Sequence, residues 1–457
     1  MAMVKTKEMN TICAISTPYG SGGIAVIRVS GESAIPIVDG LFRGRKSLLE
    51  AEAYTVHYGE IRRKSADAKS EEVLDQVLVS VFRAPHSFTG EDVVEVACHG
   101  SLYIQQTLLQ WLVDAGCQLA KAGEFTQRAF LNGKMDLAEA EAVADLIAAQ
   151  TKAEKDLALS QLRGGISHEL ATLRERLLTI TSLIELELDF ADHEELEFAD
   201  RRQLNELAQE IDQKIGRLVA SFKTGNAIKQ GVPVAIIGAP NVGKSTLLNA
   251  LLGEERAIVS DIQGTTRDTI EDTLVLGGML FRFIDTAGMR ITEDTIESMG
   301  IERSRQAAQR ANIIIHLQDA TSPIDTLSDI VHIEDKLVLQ VYNKVDLLPS
   351  FDSREGIIGI SAKNNDIEAI TCRLVAYANQ QYNISNVATI SNARHYEALV
   401  KALEAIHRVQ DGLQEQISGE FLSMDLQECL VALGEITGQI TSQEVLNNIF
   451  SKFCIGK

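Results

Sequence analysis

The sequence predicts a multidomain chain: an α+β domain at the N-terminus, all-α segments, and a Ras-like α/β P-loop module flanked by helices. Three patterns carry that prediction. Short β-rich runs alternate with Gly-rich turns up to about residue 133, the mixed signature of an α+β domain. Apolar residues at helical spacing take over from Leu137. Beyond residue 231, apolar strands end in loops rich in Gly, Asn, Asp and Ser, and the first of them opens a helix. A length of 457 residues makes about three domains the natural expectation, and 45% apolar content is enough for separate cores.

In order along the chain, Ile24-Ala25-Val26-Ile27-Arg28-Val29 and Val93-Val94-Glu95-Val96-Ala97 read as strands, with a helix around Leu102–Leu112. Leu173, Leu177, Ile180 and Ile184 then share one helix face, and Leu204, Leu207, Ile211, Ile215 and Leu218 share another, with no Pro between them. Thr224-Gly225-Asn226 through Gly231 reads as a linker. Helical patterning resumes at Tyr396-Glu397-Ala398-Leu399 and runs through Leu403 and Ile406, then from Leu426 to Leu433. The expected segments are therefore 1–133, 134–230, 231–390 and 391–457. Two helical segments around an α/β module fit separate beads or one bundle with an insertion, and the pattern alone does not choose.

Gly238-Ala239-Pro240-Asn241-Val242-Gly243-Lys244-Ser245 is a phosphate-binding P-loop. It follows the apolar strand Val234-Ala235-Ile236-Ile237 and opens the helix that starts Thr246-Leu247-Leu248, so backbone N–H groups at the helix start point into the phosphates. Gly238 and Gly243 let the chain curl, Lys244 neutralises β/γ-phosphate charge, and the Ser245 hydroxyl suits Mg²⁺. Asn343-Lys344-Val345-Asp346 follows the strand Leu337–Val341. The Asp346 carboxylate can accept from guanine N1–H and its 2-amino group, a donor pair that adenine lacks. Asn343 would tie this loop to the P-loop, and the Lys344 stem would cover the ring. Ser361-Ala362-Lys363 follows the strand Ile357–Ile360, with the Ala362 N–H expected to meet guanine O6. In this order the motifs make GTP the substrate.

Asp285-Thr286-Ala287-Gly288 follows the strand Leu280–Ile284, which puts Asp285 behind the Mg²⁺ and the Gly288 N–H at the γ-phosphate. Gly264-Thr265-Thr266-Arg267-Asp268 is the other switch, with Thr266 the second Mg²⁺ ligand, released after hydrolysis. The water-orienting glutamine of Ras-type enzymes is missing: Met289 stands in its place, and a thioether cannot do that work. Glu293, Asp294 and Glu297 are the nearby carboxylates. The Asn241 amide oxygen suits a monovalent cation beside the phosphates; an Asn that only stabilises its own turn is the alternative.

The chain holds six scattered cysteines without a Cys-x-x-Cys pair, no apolar run long enough to span a bilayer and no signal-peptide core. A cytoplasmic location without membrane attachment is the expectation. Net charge of −21 sits poorly with a nucleic-acid binder, whose affinity rests on basic surface. Much of the acid lies between Glu185 and Asp200, a solvated helix end and loop rather than a metal cage. Any RNA is therefore held locally or by a partner.

The chain resembles the MnmE (TrmE) family of tRNA-modification GTPases over nearly its whole length. The resemblance is carried by Thr11-Ile12, Ser87-Phe88-Thr89-Gly90-Glu91-Asp92, Gly123-Glu124-Phe125-Thr126-Gln127-Arg128 and the terminal Phe453-Cys454-Ile455-Gly456-Lys457. It implies a tetrahydrofolate-binding and dimerising N-terminal domain, and a G domain set into a helical domain built from both flanks. It further implies a homodimer that forms a heterotetramer with the FAD protein MnmG and acts on tRNA. The implied reaction adds a carboxymethylaminomethyl or aminomethyl group to C5 of the wobble uridine, using a one-carbon unit from 5-formyl- or 5,10-methylene-tetrahydrofolate.

By the same resemblance, Glu297 positions the attacking water. K⁺ is bound by Asn241 with Ser260, Ile262 and Thr265, and GTP by residues from Asn241, Val242 and Gly243 to Thr246. The folate site falls on Arg28, Glu95, Lys134 and Lys457, with Lys457 folded back from its own or a second subunit. Two positions depart from the family pattern, Ser21 in Gly20-Ser21-Gly22-Gly23 and Ser101 in His99-Gly100-Ser101. A ribosome-assembly GTPase of the Era or Der kind would share the GTP motifs, but such proteins end in a basic RNA-binding module, whereas this chain ends in a mostly acidic helical region.

Overall fold

A computed structural model describes residues 10–64, 71–189, 201–254, 271–284, 297–322, 336–351, 356–382, 388–454 and 456. The chain divides into two compact units, residues 1–144 with 434–457, and residues 145–433.

In the first unit, β1 (Ile12–Ile15), β2 (Ile24–Ser30), α1 (Ala34–Leu41), β3 (Phe42–Gly44), β4 (Thr55–Lys64), β5 (Glu71–Phe82), β6 (Val93–His99), α2 (Leu102–Asp114) and β7 (Gln118–Leu119) come first. They form a seven-stranded sheet in the order β3-β4-β5-β6-β2-β1-β7, antiparallel except between β1 and β7. The strand period of two sorts the side chains. Ile27, Val29, Val77, Val79, Val94 and Val96 share a core with Val38 of α1 and Leu108 and Leu112 of α2. Arg28 and Glu95 lie on the opposite face, directly across from one another. On that face Ile24, Val56, Tyr58 and Leu78 are exposed.

Helices α3 (Glu124–Leu131) and α4 (Leu137–Ala148) follow. Residues 434–457 belong to this unit. Leu446, Phe450 and Phe453 pack with Leu137 and Ala140. Gly456 (φ +95°) lies so close to β1 that a Cβ would meet Ile15 O at 2.3 Å, a contact and a backbone angle that only glycine accepts.

In the second unit, α5 (Lys152–Leu162), α6 (Gly165–Asp189) and α7 (Arg201–Gln230) lead into an α/β module. Its elements are β8 (Val232–Ile237), α8 (Lys244–Glu254), β9 (Asp272–Leu276), β10 (Met279–Phe283), α9 (Glu297–Arg310), β11 (Ile313–Asp319), β12 (Leu337–Asn343), β13 (Ile357–Gly359) and α10 (Glu368–Gln381). The sheet order is β13-β12-β11-β8-β10-β9, parallel except for β9. Helices α11 (Ala393–Gln414) and α12 (Gly419–Thr437) follow, and the last helix, α13 (Gln443–Ser451), lies in the first unit.

Residues 224–230 of the expected linker are instead the last two turns of α7, and only Gly231 (φ +87°) lies beyond it. Gly225 is there for close approach, since a Cβ would lie 2.1 Å from Ile390 O. Ile390 N donates to Ser221 Oγ at 3.0 Å, and Gln161 Nε2 to Thr389 O at 3.0 Å, so the segments entering and leaving the α/β module are tied together. Leu157, Ala227 and Ile228 share the module's own core.

Candidate functional site

The P-loop turns between β8 and α8 because two glycines permit it. At Gly238 (φ +158°) a Cβ would lie 2.2 Å from Leu317 O, and at Gly243 (φ +98°) it would lie 2.3 Å from Asn343 Nδ2. Asn241 has φ +62°, a left-handed angle that asparagine tolerates better than most residues, so its turn role is real whatever else it holds. Lys244 Nζ donates to Gly238 O and Ala239 O, each at 2.8 Å. Burial lowers the pKa of that ammonium, an effect an anionic phosphate would reverse. Ser245 and Thr246 are exposed on the first turn of α8.

Asn343, buried at the end of β12, joins three loops. Its Nδ2 donates to Val242 O at 2.9 Å, and its Oδ1 accepts from Ala362 N at 3.0 Å. The expected tie from base loop to P-loop is present. The Ala362 N–H, expected to meet guanine O6, is given to Asn343 instead. Asp346 is exposed, and its Oδ1 accepts from Ser361 Oγ at 2.7 Å, so the carboxylate is aimed by a hydroxyl rather than buried in the protein. Lys363 follows in a short helical turn, Ala362–Asn364.

The residue that the sequence reading missed here is Asp319, at the end of β11. Its Oδ2 accepts from Lys344 Nζ at 2.5 Å, and the same ammonium donates to Asn241 O at 3.0 Å. Burial alone would raise the Asp319 pKa, but bonds from Lys344 and from Thr321 N and Oγ1 hold it at about 2. A carboxylate ending a strand beside the base-loop strand was the available signal.

Ser260, Ile262, Thr265, Thr266, Asp285, Thr286, Ala287 and Gly288 lie outside the described residues, as do Met289, Glu293, Asp294 and Lys457. Glu297 is the first residue of α9.

On the sheet of the first unit, Arg28 Nε and Nη2 both donate to Glu95 Oε1, at 2.9 and 2.8 Å. The guanidinium carbon sits 5.4 Å from the Phe88 ring centroid and 5.6 Å from that of Phe125, a cation held between two aromatic faces. Lys134 Nζ donates to Pro85 O at 3.0 Å, on the loop that carries Phe88. The C-terminal tail folds back within its own chain: Ser16 Oγ donates to Gly456 O at 3.1 Å. The exposed Cys454 carbonyl accepts from Gly123 N at 3.4 Å. Of the two departures, Ser21 is exposed. Gly100 must be glycine, because a Cβ would lie 2.4 Å from Gly22 O, whereas Ser101 has the ordinary φ of −69° at the N-cap of α2.

Residues 11–134 match the family described as GTP-binding protein TrmE N-terminus, and residues 137–454 match the MnmE helical domain. The chain is 54% identical over 473 residues to the tRNA modification GTPase MnmE of Parabacteroides distasonis, covering 98% of this chain and 100% of that one. This chain belongs to the MnmE family. It is a GTPase by that membership, and the expected fold classes are those seen. The MnmE of Bacteroides thetaiotaomicron is 53% identical with the same coverage. The G domain of the T. maritima FeoB iron transporter aligns at 26% identity over 32% of this chain and 98% of that one, with a TM-score of 0.25.

The MnmE signature segments also acquire a physical role that sequence reading missed. Arg128, with a side chain 4% exposed, donates to Glu91 Oε1 and Oε2 at 3.2 Å, to Glu124 Oε1 at 2.9 Å and to Asn10 O at 2.8 Å. Ser30 Oγ donates to Glu91 Oε2 at 2.7 Å. Glu91 of the first segment and Glu124 and Arg128 of the second thus form one largely buried ion network. No helix among the described residues is long and apolar enough to cross a membrane.

Proposed function

We propose that the protein hydrolyses GTP in the cytoplasm to drive modification of C5 of the wobble uridine in certain tRNAs, working with an FAD-dependent MnmG partner and a tetrahydrofolate one-carbon unit. The observation that carries the nucleotide half is the Asn343 junction: one buried amide holds the P-loop through Val242 O and the base loop through Ala362 N. A site so joined is prepared for a ligand with phosphates at one end and guanine at the other.

The groups this site implies suit the residues in it. The Ser245 hydroxyl, exposed on the phosphate side of α8, is a hard oxygen donor of the kind Mg²⁺ takes, with Thr266 the second. The Asn241 amide oxygen is the same kind of donor for K⁺, with Ser260, Ile262 and Thr265 completing the set. Such cations supply charge compensation at the γ-phosphate. Lys244 neutralises the phosphates, Lys344 and Asp346 hold the base, and Glu297 orients the attacking water.

In the first unit, Glu95 Oε1 is engaged by Arg28, while Oε2 remains to accept from a pterin amino group. Phe88 and Phe125 beside it suit a flat heterocycle. Lys134 and Lys457 are the cations for the glutamate tail. The exposed Ile24, Val56, Tyr58 and Leu78 on the same sheet face support a homodimer that covers this surface. The net charge of −21 supports a reading in which tRNA is held largely by the partner.

The test is nucleoside analysis of tRNA from cells lacking the gene. The C5 substituent of the wobble uridine should disappear and return with the wild-type gene; unaltered modification would overturn the proposal.

A further inference from the structure

Two residues of the nucleotide site hold backbone angles that residues other than glycine rarely adopt. Asn241 in the P-loop has φ +62°, and Lys344 in the base loop has φ +67°. They are also partners: Lys344 Nζ donates to Asn241 O at 3.0 Å, across 103 positions of sequence. An asparagine side chain bonds locally and so tolerates the left-handed region, but a lysine side chain has no such means. A strained residue of this kind persists where its surroundings over-determine it, and such places gather at working sites.

What holds Lys344 is Asp319. Strand register sets Asp319 directly opposite Asn343, the residue before Lys344, and Ala320 N donates to Asn343 O at 2.9 Å. Asp319 Oδ2 accepts from Lys344 Nζ at 2.5 Å, while Oδ1 accepts from Thr321 N at 2.9 Å and from Thr321 Oγ1 at 2.7 Å. Each of these bonds is donated to the carboxylate, which favours its ionised form. The ammonium is therefore neutralised where it meets the P-loop. Asn343 Nδ2 takes the next carbonyl, Val242 O, at 2.9 Å. Two successive residues of the base loop thus grip two successive carbonyls of the P-loop, and Asp319 anchors one of the two.

Charge gives this anchor a second effect. Lys344 Nζ lies 3.0 Å from the backbone oxygen of the residue whose amide oxygen is the proposed K⁺ donor. Ammonium and amide are one side chain apart, inside the Debye length of about 8 Å at physiological salt. A bare ammonium there would repel a bound K⁺, and a paired one does so far less.

We propose that Asp319 is a positioning residue of the GTPase reaction, which through Lys344 sets the Asn241 turn and cancels the charge that would otherwise oppose K⁺ beside it. The proposal rests on the reading of Asn241 as the K⁺ donor. The base loop then governs the cation as well as the guanine.

The experiment compares full-length wild type and Asp319→Asn in buffers where K⁺ replaces Na⁺ at constant ionic strength. Two quantities are read: GTP turnover against K⁺ concentration, and the K⁺-dependent rise in unfolding temperature with the non-hydrolysable analogue guanylyl imidodiphosphate bound. Asp319→Asn keeps the shape of the side chain and removes its charge. Half-saturating K⁺ should rise roughly 3- to 30-fold in both measurements, the span for a unit charge about 8 Å away as the medium goes from water to protein surface. The kcat extrapolated to saturating K⁺ should stay within about threefold of wild type, because the contacts that orient water and phosphate are untouched. Asp319→Ser carries the same expectation, so the test stands if one of the two variants does not fold. A carboxylate that served only the fold would lower the unfolding temperature equally at every K⁺ concentration. Half-saturating K⁺ within about twofold of wild type, beside a wild type that needs K⁺, overturns the positioning role and leaves the cation reading standing. A wild type indifferent to K⁺ against Na⁺ in both measurements removes the Asn241 assignment, and the proposal with it.

Discussion

Truncating Asn343 to alanine isolates the junction on which the proposed guanine-nucleotide site rests. The side chain is 3% exposed and makes two bonds, to Val242 O at 2.9 Å and from Ala362 N at 3.0 Å. Alanine leaves both backbone groups unmet, at a cost of about 1–3 kcal/mol each, or about 2–6 kcal/mol together. Neither partner lies in a strand of the sheet, so the loss falls on the arrangement of the loops rather than on the core. Taking the lower bound and about 1.4 kcal/mol per tenfold, GDP should bind at least roughly 30-fold more weakly. The assay is titration with a fluorescent GDP analogue, alongside thermal unfolding of the same samples. Asn343→Asp keeps the acceptor for Ala362 but turns a carboxylate oxygen toward Val242 O, and should bind as poorly as the alanine variant. GDP affinity within about threefold of wild type in Asn343→Ala would show that the loops hold their places without the amide, and the reasoning would fail.

Three further outcomes follow from the geometry. Arg128→Met strips the cation from Glu91 and Glu124, whose side chains are 13% and 19% exposed, and should cost about 3–5 kcal/mol of stability by chemical denaturation; a loss below about 1 kcal/mol would place the network with ordinary surface pairs. In α7, Gly225→Ala should destabilise by about 1–3 kcal/mol through the clash with Ile390 O, while Gly216→Ala, with nothing within 4 Å of its would-be Cβ, should stabilise by up to about 1 kcal/mol, and equal thermal shifts for the two would refute the close approach. The Asp319 pKa is depressed from 3.8 to about 2, so its contribution is fully present above the unfolded value and is lost as pH falls through the folded one. The stability gap between wild type and Asp319→Asn should therefore be constant at neutral pH and shrink between about pH 4 and pH 2; a gap that did not change with acid would mean that Lys344 holds the residue weakly.

The parts of this protein legible in the sequence are those whose physics is local. The P-loop could be read because its glycines, lysine and flanking strand and helix are contiguous, and both glycines prove to stand where a Cβ would collide with backbone or with Asn343. The apolar faces of α6 and α7 could be read for the same reason: Leu173, Leu177, Ile211 and Ile215 are buried as their spacing requires. The linker assignment at 224–231 failed because glycine has two uses, to break a helix or to let another chain segment touch it, and the segment touching Gly225 lies far away in sequence at Ile390. Asp319 and Arg128 were invisible for a related reason. A single charged residue at a strand end or on a short helix reads as solvated until the fold delivers its partners from a distance.

That distance explains what the family signature in the first unit is for. Ser30 and Arg28 share one face of β2, and Ser30 Oγ meets both Thr89 Oγ1 at 2.8 Å and Glu91 Oε2 at 2.7 Å. Glu91 and Glu124 are in turn bridged by Arg128. The network therefore fixes the loop that carries Phe88 and the helix that carries Phe125, the two rings that flank the Arg28 guanidinium. An ion cluster of this kind gains little net stability over an apolar packing. Its value lies in fixing geometry, since charge-assisted bonds constrain direction as well as distance. The conspicuous residues of the Ser-Phe-Thr-Gly-Glu-Asp and Gly-Glu-Phe-Thr segments are on this view mostly the frame that holds Arg28 and Glu95, the plainer residues proposed to meet the ligand.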